Sequence, residues 1–172
     1  MKQAAFGFRV HSGWAAMVAV SLEKGAPVVL ARQRVHLVET FTYRFRQPYH
    51  TAGRMPASEA PEFIVRMRDE ARRLSYSAIR EAQSELQKQG MKLTRCGLLL
   101  ASGRELPELE KILASHALIH TADGERMSVY RFVPQCGFEG GDQGIVSQNA
   151  DHQGSTIFAQ SACRPFNEPG EV

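Results

Sequence analysis

Residues 114–125 read ASHALIHTADGE, with His116 and His120 four apart and Asp123 and Glu125 just beyond them. Imidazoles at i and i+4 share one face of a helix, so both can reach a single ion, and nearby carboxylates can complete or orient such a site. On that reading His116, His120, Asp123 and Glu125 form a metal-assisted hydrolase centre, with a divalent metal as cofactor and phosphoesters as substrates. A competing reading is structural. The residues between the histidines are Ala117, Leu118 and Ile119, without the glutamate of an HExxH helix. Thr121 also suits a helix N-cap, with Asp123 and Glu125 as the acidic first turn that the helix dipole favours. This second reading predicts a helix break near Ile119, imidazoles pointing apart, and no metal ligand, cofactor or catalytic residue.

A second group of residues points to anion binding. Arg32, Arg34, Arg44 and Arg46 interleave with His36, Tyr43, Phe45 and Tyr49, and guanidiniums beside aromatic rings suit phosphates and stacked bases. Arginines on an outer strand also discourage edge-to-edge pairing, which is their structural explanation. The chain's formal charge of +3 understates how basic its body is. From Cys136 onward Arg164 alone faces Glu139, Asp142, Asp151, Glu168 and Glu171. The function expected from this side of the sequence is a non-catalytic binding domain for nucleic acid or another polyanion, or for a protein partner.

The elements that must position these residues are legible in the hydrophobic pattern. Residues 4–11 and 14–22 are apolar on both alternating faces, as in strands covered on two sides, and Ser12-Gly13 between them makes a hairpin turn. A third strand starts at Pro27. Its Val29, Ala31, Val35 and Leu37 make one apolar face, and Arg32, Arg34 and His36 make a wet one. The following loop carries Pro48, Gly53 and Pro56, which exclude a long regular element. Ser58, Pro61, Glu59 and Glu62 then open a helix that Gly90 ends, with Ile64, Met67, Ala71, Leu74, Ala78, Ala82 and Leu86 as its apolar stripe. Residues 92–101 read as a buried strand, paired in parallel with the first through a right-handed crossover. A short helix follows Pro107.

Three antiparallel strands, a long helix, a parallel strand and another helix resemble the ribonuclease H-like superfold over residues 4–130. SGW after the first strand and LASHALIHTADGE resemble an uncharacterised bacterial family of that fold. The resemblance implies a mixed α/β sheet, and its nuclease members hold two magnesium ions between carboxylates. Here the first strand, AAFGFRVH, has no acid and carries Arg9, so that two-metal site is not expected. Middle domains of peptide-release-factor and pelota type share the architecture without being nucleases. The glycine turns HSGW and ASGR fall where kinase- and actin-like relatives cradle phosphates, although their first-strand aspartate is missing.

Size and composition frame these readings. The 172 residues, 43% hydrophobic and 23% charged, suit one globular domain, expected over residues 1–135. No apolar run approaches the ~20 residues of a membrane span, so the chain is expected to be cytoplasmic. Cys96, Cys136 and Cys163 form no CxxC pair and suggest neither a zinc ribbon nor a disulfide framework. Residues 136–172 lack periodicity and are rich in Gly, Gln, Asn and Ser. They read as a flexible or non-native tail that leaves the fold incomplete at its C-terminus.

Overall fold

A computed structural model describes residues 1–100, 106–126 and 146–147. The expected tail, residues 136–172, lies outside the described residues apart from Val146–Ser147, as do the Ser102-Gly103 turn and any helix running on to Tyr130. The sheet contains β1 (Lys2–His11), β2 (Trp14–Glu23), β3 (Ala26–His36), β4 (Met91–Leu100) and the two-residue β5 (Val146–Ser147), in the spatial order β3-β2-β1-β4-β5. The first three strands form the antiparallel meander, and β4 lies parallel to β1. This is the mixed α/β architecture that the hydrophobic pattern predicts, including the crossover. Among the described residues no helix is long and apolar enough to cross a membrane.

The crossover is α3 (Ala60–Lys88), preceded by two short helices, α1 (Tyr43–Arg46) and α2 (Pro48–Ala52), and followed by α4 (Leu109–Leu113) and α5 (His116–Thr121). Glu59 is the α3 N-cap, without a side-chain capping bond, where the sequence suggested Ser58; Gly90 follows the C-cap with φ +73°. The buried stripe of α3 runs through Ala60, Phe63, Ile64, Met67, Ala71, Ser75, Ile79 and Leu86. Leu74, Ala78 and Ala82 sit on its margin, and the Ser75 hydroxyl is satisfied by donating to the Arg72 carbonyl at 2.9 Å. This stripe packs with Phe6, Phe8, Ala15, Met17, Ala19 and Leu98 into one core. Their large apolar side chains, removed from water, drive the assembly.

Two expectations need correction. The apolar face expected of the third strand, with Gln33 as its interruption, is also broken near its start, because the register with β2 shifts between Ala19 and Val20. The extra residue, Leu30, puts Val29 on the face opposite Val35, so Val29 faces solvent while Val28 and Leu30 are half-buried; Ala31, opposite Ala19, keeps the Val35 face but is exposed. Val35 and Leu37, beyond the bulge, are buried as expected. The cysteine count also misled: Cys96 is disulfide-bonded.

Candidate metal centre

The centre begins with α2. Pro48 occupies its first turn, where the missing N–H costs no helical bond. The amides of Tyr49 and His50 then lack intrahelical acceptors, as the first N–H groups of any helix do. Asp123 supplies them from more than seventy residues downstream. Tyr49 N–H donates to Asp123 Oδ1 at 2.8 Å and His50 N–H to Oδ2 at 3.2 Å. The same Oδ2 lies 2.5 Å from His50 Nδ1. With Nδ1 committed to the carboxylate, Nε2 is the nitrogen of His50 left to face an ion.

The other half of the centre is α5 and the π-turn that extends it, Ala122–Arg126. Ser115 is the α5 N-cap by backbone alone, and Ile119 N–H closes the first turn on the Ser115 carbonyl. Ile119 is buried and anchors α5 against the end of α2. A Cβ added at Gly53 would come within 3.3 Å of its Cδ1, so this approach favours glycine. His116, His120 and Asp123 follow at intervals of four and three and share one side of the turn. Ala122 and Asp123 point inward and are fully buried, whereas His116 and His120 face solvent.

Three imidazoles therefore converge. His50 and His120 have ring centroids 4.4 Å apart, His116 and His120 4.5 Å, and His50 and His116 5.6 Å, all edge to face. One nitrogen from each ring lies within 4.8 Å of the other two. A tetrahedral zinc ion holds its nitrogens roughly 3.4 Å apart, as follows from Zn–N bonds of about 2.05 Å. Two of the three rings, His116 and His120, are exposed and can rotate toward that spacing. The helix break expected at Ile119 does not occur, and Asp123 caps α2 rather than a following helix. Glu125 lies in the π-turn, and its side chain is not among those described.

Electrostatics fits a ligand set held by an outer carboxylate. Burial raises the Asp123 pKa above 3.8, and the bonds from the His50 ring and the two amides hold part of that rise back. A buried carboxylate of this kind fixes the tautomer and orientation of its histidine and strengthens it as a ligand. The Tyr43 ring stands edge-on to His50 at 6.5 Å and is half exposed, forming the solvent side of the centre. Comparison with protein-family models, with curated proteins and with solved structures gave no match.

Of the arginines singled out by sequence, the structure gathers two. Arg34 and Arg46 both lie over Phe41, whereas Arg44 lies over Phe45 and Phe63. Arg32 is exposed two residues from Arg34 on the same face of β3. His11 stacks on Trp14 beside this group at 4.3 Å. Its pKa is lowered from 6.5 by burial first, then by the charges of Arg9 and Arg34. Removing one of those charges should move it back. In Arg34→Gln, a proton NMR titration is expected to show the His11 midpoint rising toward 6.5, and an unchanged midpoint would refute the Arg34 contribution.

Sequence reasoning missed His50. It lies in a segment without periodicity, far from ASHALIHTADGE in the chain, and only the fold brings the two together. The one local signal was PYH, a proline able to start a helix followed by a ligand-type residue.

Proposed function

We propose that the protein is a metal-dependent hydrolase of phosphoesters whose ion is held by His50, His116 and His120. The observation that carries this reading is the convergence of three imidazoles, one of them buried and oriented by Asp123. Three neutral nitrogens suit zinc and other late first-row divalent ions. Three protein ligands are the number found in catalytic rather than structural zinc sites. Held by these three residues, such an ion would supply Lewis-acid activation of water and of a phosphoryl oxygen. Hydrolysis would join a water oxygen to phosphorus, break the bond to the ester oxygen and release the alcohol with one of the water's protons. Exposure of His116 and His120 keeps the centre open to substrate, and Arg44 on neighbouring α1 supplies positive charge for an anionic ester.

Calorimetric titration of chelator-treated protein with zinc tests the centre. One submicromolar site per chain is expected, abolished in the His116→Ala/His120→Ala double variant while the far-ultraviolet dichroism is retained. Absence of a stoichiometric site would end the proposal. If zinc binds but neither a nitrophenyl phosphate monoester nor the diester is turned over, the hydrolase assignment falls and the metal site stands.

A further inference from the structure

The SGW motif and the basic face, left aside by the metal centre, meet at one place. Gly13 turns the β1–β2 hairpin with φ +78°, and its carbonyl accepts the Leu37 amide at 2.9 Å, which fixes the end of β3. Arg46 crosses directly above it. A Cβ at Gly13 would lie 2.7 Å from Arg46 Cγ, so only glycine lets that side chain pass. Trp14 follows and carries the Arg34 guanidinium 4.2 Å from its ring centroid. Arg34 and Arg46 then lie 4.9 and 4.5 Å from the centroid of Phe41, which also meets His36 edge-on. Sharing one ring, the two charges are at most about 9 Å apart, close enough to repel each other.

A guanidinium stacked by its face keeps its N–H edge free for an acceptor and loses little freedom when it binds one. Among the described residues no carboxylate pairs with Arg34 or Arg46, and Arg46 Nε is buried with no hydrogen-bond partner. Arg73, by contrast, is paired with Glu39. The hairpin end therefore holds two preoriented, uncompensated guanidiniums. An anion with several oxygens relieves this repulsion and satisfies the free N–H edges.

We propose that Arg34 and Arg46 form a phosphate-binding site for single-stranded nucleic acid. Phe41 is 37% exposed beside the pair, offering ring surface to a base that is not stacked within a duplex. Arg32 continues the charged track along the same face of β3. The site shares no residue with the three-histidine set and does not depend on the metal reading.

Trp14 is the only tryptophan in the chain, so its emission reports on the site directly. Titration with a short oligo-dT strand should change that emission saturably, with an affinity that falls steeply as salt rises. Arg34→Gln/Arg46→Gln should weaken binding at least ~10-fold and reduce the salt slope by roughly 1.4, the value for two single-strand phosphate contacts. Arg34→Gln alone, at an exposed edge-strand position, should lose about half of that slope and serves if the double variant folds poorly. Arg66→Gln/Arg80→Gln removes the same charge from stacked arginines on α3 and should leave binding within ~2-fold. Equal losses in both double variants would reduce the effect to net charge and overturn the site. So would binding unchanged by Arg34→Gln/Arg46→Gln, or equal binding of a duplex of the same length.

Discussion

Replacing His50 with alanine is expected to destabilise the metal-free protein by about 1–3 kcal/mol, the cost of leaving a buried carboxylate short of a hydrogen-bond partner. Asp123 is only 2% exposed. Its carboxylate is satisfied by two amides and the His50 ring. Without the ring it keeps the amides, loses the imidazole hydrogen bond, and stays in surroundings that already raise its pKa. The cost reaches beyond one bond, because the same carboxylate ties α2 to the π-turn. His116→Ala and His120→Ala should behave differently. Both rings face solvent, so each change should cost no more than ~0.5 kcal/mol without metal, although either removes a ligand. Urea denaturation in the presence of a chelator separates the cases. A His50→Ala penalty below ~1 kcal/mol would show that the pair does not hold the helices together.

Asp123→Asn should lower zinc affinity about 10- to 100-fold, the usual cost of losing the carboxylate behind a ligating histidine. The reason is specific to this geometry. Oδ2 of Asp123 faces two donors, the His50 amide and the His50 ring. An asparagine that places its NH2 there sets donor against donor. The ring escapes by moving its proton to Nε2, which removes the lone pair that the ion needs. The other amide orientation points NH2 at the Tyr49 N–H, now 2.8 Å from Oδ1, and disturbs the start of α2 instead. Competition with a chromophoric chelator measures the loss, and nitrogen NMR of His50 reads the tautomer. Wild-type affinity with an unchanged tautomer would show that Asp123 has no part in the centre.

The sheet was legible because β1, β2 and β4 are long apolar runs and α3 has a helical period with a glycine at its end. These signals are local and repeat over many residues. The β3 bulge was not legible. One additional residue in pairing leaves composition unchanged and shows only when the strand is set beside β2. For the centre, His116, His120 and Asp123 could be read from spacing, but their roles could not. Asp123 looks like a helix-capping acid in either case, and only the fold shows that the helix it caps is α2. His50 was invisible for the same reason. Arg46 was noted as basic, yet its passage over Gly13 links two segments whose sequences say nothing about each other.

The carboxylate that joins α2 to the π-turn also sets an order of events in time. His50 and Asp123 are 73 positions apart, and at 5–20 residues per second a ribosome needs roughly 4–15 s to pass from one to the other. For most of that interval the emerging chain has one imidazole of the three and no carboxylate to orient it. On the proposed reading, ion loading follows the docking of α5, and a contact of such long range is slow to close. Zinc should speed refolding little and slow unfolding a great deal, the kinetic signature of a ligand that recognises only the finished fold. Stopped-flow experiments in urea with and without zinc would show it, and acceleration of the folding limb alone would contradict that order.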